Sequence, residues 1–386
     1  MDHAGASDFD RHMMAVALTL ARRGLGRTAP NPSVGAVVAD EATGEMIAAA
    51  LTAPGGRPHA EPIALAEAGA RAQGRTLYVT LEPCSHHGAT PPCVDAVLGA
   101  RLGRVVVALE DPDPRVSGRG LERLRRAGIA VSRGLGAEEA HWIARGHILR
   151  VTERRPLVQI KLACDATGEI PRGAGGTPRF VTGELARQRG HLLRAEADAI
   201  LVGRRTVTDD DPDLTCRLPG LAGRSPIRLV LSHTGTGLGQ SRLARSARVH
   251  PVWALVGAPA AAGADAAALT AEGIKVIGCP LVGGALWLPA VAEALVREGV
   301  TRVLVEGGPS TWRAFSAAGL VDEVVVFHAR ADSAIATGEA AARAAIRRHV
   351  GDHDLDLVEA RPLGGDDMLV FRVRWRGILR RAGATD

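Results

Sequence analysis

His59-Ala60-Glu61, Pro83-Cys84 and Pro92-Cys93 place one imidazole, one carboxylate and two thiols within a short stretch of chain. Zinc favours nitrogen and sulfur donors in a tetrahedron, and a catalytic site leaves one position for water. His59, Cys84 and Cys93 supply three ligands of that kind. Glu61, two residues beyond the histidine, suits the transfer of protons to and from such a water. A closed structural site is the competing reading, since His86 or His87 could complete the tetrahedron.

These residues need rigid elements to hold them. Alternating strand and helix patterns predict two α/β halves, residues 1–150 and 151–386. In the first half a helix is expected over residues 8–23, followed by a strand Val34–Ala39 and a helix Glu61–Gln73. A strand Thr76–Leu81, a helix Cys93–Leu98, a strand Arg104–Leu109, a helix Gly120–Ala127 and a strand Ile129–Ser132 follow. The polar segment Ala137–Arg155 reads as a helical connector between the halves. Strands are then expected at Leu157–Ala163, Asp198–Val202, Ile227–Leu231, Val252–Val256, Lys275–Ile277, Arg302–Val305, Glu323–Phe327 and Met368–Arg374. Helices at Gly183–Arg194, Ala260–Ala271, Pro289–Arg297 and Thr311–Ala318 alternate with them.

Bulk properties narrow the class. The chain has 386 residues, enough for two domains. Hydrophobic residues make up 46% and aromatics 3%, so aliphatic side chains must fill the cores. Five scattered cysteines argue for a reducing compartment, the cytoplasm, rather than a disulfide framework. The start, Met1-Asp2-His3-Ala4, does not read as a secretory leader. The uncharged stretch Val276 to Ala292 is broken by Pro280, Gly283, Gly284 and Pro289, which argues against a membrane span. The formal charge is +5, and all of the 47 basic residues except Lys161 and Lys275 are arginine. They are scattered and come with one tyrosine and five phenylalanines, a poor set for stacking nucleic-acid bases. Small phosphorylated substrates remain compatible with that charge.

The metal pattern is that of the zinc-dependent deaminases, which use an activated water to displace an exocyclic amine. Deaminases of nucleic acid or free cytidine commonly separate the two cysteines by two residues. Here eight intervene. Glu82-Pro83-Cys84-Ser85-His86-His87-Gly88, Thr90-Pro91-Pro92-Cys93, Pro30-Asn31-Pro32-Ser33-Val34-Gly35 and Asp111-Pro112-Asp113-Pro114 together resemble the bifunctional deaminase/reductase family of riboflavin biosynthesis. So do Leu192-Leu193-Arg194-Ala195, Asp198 to Gly203, Asp210-Asp211-Pro212 and Val305-Glu306-Gly307-Gly308-Pro309 in the second half. No Gly-x-Gly-x-x-Gly motif occurs.

The resemblance implies a cytidine-deaminase-like three-layer domain followed by a dihydrofolate-reductase-like domain. It also implies zinc, NADPH, a homo-oligomer and a small substrate, 2,5-diamino-6-ribosylamino-4(3H)-pyrimidinone 5′-phosphate. Glu61 would be the catalytic carboxylate, with Asn31, His86, Asp111 and Asp113 lining the deaminase pocket. Lys161, Arg194, Leu214, Arg217 and Glu306 would contact the sugar-phosphate in the reductase. Ala163, Thr206, Asp210, Ser232, Gly308, Pro309 and Ser310 would contact NADPH. The chain departs from the family pattern at several positions. Thr52 stands where a histidine is usual and Ala89 where Lys or Arg is usual. Asp165-Ala166-Thr167 replaces Ser-Leu-Asp, Phe180 replaces tryptophan and Ser232 replaces aspartate. A Pro-x-x-x-Gly turn is not recognisable in Ala329-Arg330-Ala331-Asp332. These departures keep two alternatives in view: a paralogue acting on a related pyrimidine or pterin-like ring with an altered or inactive reductase half, and a nucleic-acid-binding deaminase or regulatory module.

Overall fold

The structure, a computed structural model, describes residues 5–88, 90–171, 181–330 and 335–373. Met1–Ala4, Ala89, Phe180, Ala331, Asp332 and Arg374, on which the sequence reading touched, lie outside the described residues. The chain divides into two compact units. One comprises Met1–Pro156 with Leu295–Thr301, the other Leu157–Ala294 with Arg302–Asp386.

The first unit is a three-layer sandwich. Its sheet has the order β2-β1-β3-β4-β5, from β1 (Gly35–Asp40), β2 (Glu45–Leu51), β3 (Thr76–Val79), β4 (Arg104–Val107) and β5 (Ala130–Arg133). β1 runs antiparallel to β2 and β3, whereas β3, β4 and β5 are parallel. Successive strand residues point to opposite faces. Ala36, Val38, Leu77, Val79, Val105 and Val107 therefore face one layer of helices: α2 (Ala60–Ala68), α3 (Cys93–Gly99) and α4 (Arg119–Arg126). Val37, Ala39, Tyr78 and Val106 face the other, where α1 (Asp8–Arg23) packs with Met13, Met14, Ala17 and Leu18. α1 starts at a capping box in which Ser7 accepts from the Asp10 amide and Asp10 accepts from Ser7. It lies so close to β1 that a Cβ on Gly35 would stand 1.9 Å from the Ala17 carbonyl oxygen. Only glycine permits that approach.

The second unit has a nine-stranded sheet of order β10-β9-β8-β7-β13-β6-β14-β16-β15. Its parallel part is β6 (Leu157–Cys164), β7 (Ala199–Gly203), β8 (Ile227–Leu231), β9 (Val252–Gly257), β10 (Lys275–Cys279), β13 (Arg302–Val305) and β14 (Glu323–Ala329). β16 (Asp366–Val373) adds antiparallel to β14, and β15 (Leu355–Leu363) to β16. β11 (Leu281–Val282) and β12 (Ala285–Leu286) form a separate small hairpin. β13 is inserted between β6 and β7, so the chain reverses its direction of travel across the sheet there. Among the described residues no helix is long and apolar enough to cross a membrane.

Several expected boundaries move. The helix expected over Glu61–Gln73 ends at Ala68, because Gly69 takes φ 54° and a tight turn, Gly69–Ala72, follows. The connector Ala137–Arg155 is two helices, α5 (Ala137–Ile143) and α6 (Arg145–Glu153), and both belong to the first unit. Its reading as polar fails because Arg145, Gly146, His147, Ile148 and Leu149 are buried. The helix expected over Ala260–Ala271 is a short turn, Ala260–Ala262, then a helix, Ala264–Ala271, split at Gly263. β2 and β15 were not anticipated, since their side chains alternate only partly between buried and exposed.

Candidate functional site

The three zinc-ligand candidates sit at element ends. His59 is the N-cap of α2, Cys93 opens α3, and Cys84 lies in the loop after β3. His59 Nδ1 is 3.2 Å from Cys93 Sγ and 3.7 Å from Cys84 Sγ. All three ligand atoms lie within 4.8 Å of one another. A tetrahedral zinc with ordinary bond lengths separates its nitrogen and sulfur ligands by about 3.5 Å. The donors and their spacing therefore fit zinc. The Cys93 amide also donates to Cys84 Sγ at 3.3 Å, which fixes that sulfur.

The electrostatics agree. A hydrogen bond from Cys93, aided by His59 and opposed by burial, holds the Cys84 thiol down at about 4. The same hydrogen bond between the two sulfurs, together with burial, drives Cys93 upward. The two sulfurs thus share one proton, which a bound dication would expel. His59 is raised, first by its bond to Cys84. Glu61 is 3% exposed, and burial lifts it to about 7 against the pull of His59. One of its oxygens, Oε2, is buried and has no partner among the described residues.

A cavity of about 250 Å³ opens beside this cluster. It brings together the expected residues Asn31, His59, Glu61, Cys84, His86, Asp111 and Asp113. Glu82, itself pushed up by burial, holds the far wall by accepting the Gly118 and Gly120 amides, both at 2.9 Å. Asp111 accepts the Asp113 amide at 2.9 Å. Asp113 is held at about 2, chiefly by hydrogen bonds from Arg115. Asn31 donates to the Gly56 carbonyl at 2.8 Å. Thr52 lines the cavity too, but its hydroxyl is spent on Val34, accepting the amide at 3.0 Å. Five lining residues escaped the sequence reading: Arg57, Arg115, Val116, His147 and Arg150. His147 stands 3.0 Å from Asp111 Oδ1 through Nε2, and Arg150 stands 3.3 Å from His147 Nδ1. Because arginine only donates, Nδ1 accepts and Nε2 carries the proton that Asp111 takes.

In the second unit the expected residues gather at the carboxyl ends of neighbouring parallel strands. Lys161 and Ala163 lie on β6, Ser232 follows β8, and Glu306 and Gly308 follow β13. Thr206 and Asp210 lie on the helix Arg204–Asp210 that follows β7. In open α/β sheets ligands bind at that edge, where the strand order reverses. Gly308 is the N-cap of the helix Pro309–Ala317 and has no side-chain cap, so amides near Ser310 face outward. Ser232 caps its turn by accepting from the Gly235 amide at 2.9 Å. Leu214 is buried in a left-handed conformation, and Arg217 is exposed.

Arg194 is not free. Its Nε and Nη2 grip the two oxygens of Glu306 at 2.8 and 2.9 Å, and Nη1 donates to the Thr215 carbonyl. Burial alone would raise Glu306, but Arg194 and Lys161 outweigh it and hold the carboxylate at about 2. A carboxylate depressed from 4.5 contributes stability above pH 4.5 and loses it as the pH falls towards about 2. Glu306→Gln is expected to cost about 3–5 kcal/mol, because it leaves the Arg194 charge buried and uncompensated. Urea melts between pH 2 and 7 check this. The variant should lose the part of the wild-type fall below pH 4.5 that this carboxylate contributes; an unchanged acid limb would contradict it.

These geometries match known proteins. Residues 7–109 match the cytidine and deoxycytidylate deaminase zinc-binding region, and residues 158–343 match the RibD C-terminal domain. The riboflavin biosynthesis protein RibD of Escherichia coli K12 is 38% identical over 333 residues, covering 82% of this chain and 87% of that protein. That of Aquifex aeolicus is 38% identical over 325 residues, covering 83% and 86%. Among solved structures, Acinetobacter baumannii RibD aligns with TM-score 0.78 at 30% identity, covering 95% of this chain and 99% of that one. A Thermotoga maritima enzyme described as a diaminohydroxyphosphoribosylaminopyrimidine deaminase/5-amino-6-(5-phosphoribosylamino)uracil reductase aligns with TM-score 0.77 at 29% identity. Fold and site thus define a bifunctional enzyme, a deaminase with a zinc-binding region joined to a reductase. The chain belongs to the RibD family of riboflavin-biosynthesis deaminase/reductases.

Proposed function

We propose that the first unit deaminates 2,5-diamino-6-ribosylamino-4(3H)-pyrimidinone 5′-phosphate, and that the second reduces the ribosyl chain of the product to ribityl with NADPH. The carrying observation is a buried, partnerless Glu61 oxygen in a cavity that His59 and Cys84 also line, with Cys93 completing the donor set. Zinc at those donors supplies a water acidic enough to act as nucleophile near neutral pH. Glu61 would take one proton from that water and give it to the ring nitrogen, then take the remaining hydroxyl proton and give it to the leaving amine. A carboxyl group lifted to about 7 can both accept and donate at neutral pH. Asn31, His86, Asp111 and Asp113 orient the ring, with Asp111 steadied by His147.

In the second unit NADPH supplies a hydride. Ala163, Thr206, Asp210, Ser232 and the turn Gly308-Pro309-Ser310 hold the cofactor, whose phosphates suit the open helix N-terminus. Lys161, Leu214, Arg217 and the Arg194–Glu306 pair hold the sugar-phosphate. Glu306 stays ionised at all working pH values and gives a fixed acceptor for ribose hydroxyls.

The test is to supply the zinc-loaded protein with the diaminopyrimidine phosphate, with and without NADPH. One equivalent of ammonia should appear without NADPH, and NADPH oxidation should require the deaminated product. Deamination with no NADPH consumption, even on supplied product, would overturn the second half of the reading.

A further inference from the structure

Three guanidinium groups line the deaminase cavity: Arg57, Arg115 and Arg150. They differ in their partners. Arg115 is committed to Asp113, with Nε and Nη2 spanning both carboxylate oxygens. Among the described residues Arg57 donates only to the Thr90 hydroxyl, at 2.7 Å. Of those residues Arg150 meets only the ring of His147, and its Nε is buried without a partner. Among the described residues neither Arg57 nor Arg150 has a carboxylate within ion-pairing distance.

A half-buried cation such as Arg150, without a close counter-charge, is unfavourable until an anion enters, whereas the exposed Arg57 is solvated and free to turn to one. Burial and the neighbouring Arg115 charge press Arg150 downward, and the more distant Asp113 and Asp111 offset this only in part. Arg57 lies over the loop between the two cysteines: a Cβ on Gly88 would sit 3.6 Å from its Nη2. It therefore covers the very stretch in which Ala89 brings no charge. Thr52, the other position where this chain departs from the family pattern, spends its hydroxyl on the backbone of Val34. The cationic capacity of this cavity is therefore carried by Arg57 at the mouth and Arg150 within.

We propose that Arg57 and Arg150 form the phosphate subsite of the deaminase cavity, clamping the 5′-phosphate of the substrate while its ring lies beside Glu61. This rests on the substrate class proposed above. A phosphate monoester is the anion that fits, because guanidinium groups donate paired hydrogen bonds to its oxygens. His147 positions Arg150 from behind and couples it to Asp111.

The zinc-loaded full chain decides the matter, with Arg57→Ala, Arg150→Ala and Arg150→Lys compared with Arg126→Ala, an exposed residue on α4. Deamination is measured on the phosphorylated substrate and on its dephosphorylated nucleoside. Each alanine variant should raise KM for the phosphorylated substrate about 10- to 100-fold, with kcat nearly unchanged. KM for the nucleoside should not move. Arg150→Lys should recover part of the loss, whereas Arg126→Ala should behave as wild type. Arg57 is exposed, so its variant folds whatever happens at Arg150. Equal KM increases for both substrates, or none for either, would overturn the subsite. Binding of inorganic phosphate, followed by calorimetry, separates this from the wider reading. A wild type that binds phosphate but deaminates neither compound would sink the substrate class and leave the subsite standing. Phosphate binding that persists in the Arg57→Ala/Arg150→Ala double variant would sink the subsite alone.

Discussion

Glu61→Ala is expected to lower kcat for ammonia release by about 10³- to 10⁴-fold while the protein keeps its zinc. The size follows from where the residue sits. Glu61 occupies the first turn of α2, two positions after His59, and only 3% of it is exposed. Burial lifts its carboxyl group to about 7, where taking and giving a proton are nearly balanced. No other carboxylate of the cavity stands in that position. Glu82 is bound by backbone amides, Asp113 is ionised against Arg115, and Asp111 is tied to His147. Zinc retention follows because the three donors are His59, Cys84 and Cys93. Glu61→Gln should lose as much activity as Glu61→Ala, since the amide keeps the shape but cannot shuttle protons. Metal analysis beside steady-state ammonia release checks both. Wild-type turnover in either variant would remove Glu61 from the reaction, and loss of zinc would make it a structural residue.

The metal cluster was legible because its chemistry resides in residue type and order. His, Glu and two Cys at those spacings have few other uses together. The three-layer fold was legible for a related reason. Strands such as Arg104–Val107 have apolar side chains on both faces and must be covered on both. What the sequence concealed was pairing. Arg57 and Arg150 look like any of the many arginines, and only the fold shows that among the described residues neither pairs with a carboxylate while Arg194 does. His147 and Arg150 were also hidden by their setting, since a segment rich in charge reads as solvent-facing when it in fact closes a cavity. The position of β13 between β6 and β7 depends on long-range pairing that strand alternation does not encode. Glycines misled in two directions. Gly74 looked like the end of α2, but Gly69 ends it, and Gly263 split a run of alanines that otherwise favours one helix.

Removal of the metal is expected to separate the two activities completely. A chelator strong enough to strip zinc should reduce ammonia release at least about 10⁴-fold, because the nucleophile loses the charge that brings the pKa of a bound water down to about 7. The donors come from three separate segments: the start of α2, the loop after β3 and the start of α3. Without the ion those segments are joined by the contacts among His59, Cys84 and Cys93 and by the Val94 amide donating to the Cys84 carbonyl, and one thiol must hold a proton. Melting of the first unit should therefore shift to lower temperature on stripping and recover when zinc returns. Reduction of supplied deaminated product should continue, because its expected residues, Lys161, Arg194 and Glu306, lie in the second unit. Cys84→Ala should reproduce the stripped protein without a chelator. The decisive pair of measurements is ammonia release and NADPH oxidation on the same stripped sample. Undiminished ammonia release would rule out a metal-dependent deaminase. Parallel loss of both activities would show that the reductase depends on the zinc-bound state of the first unit.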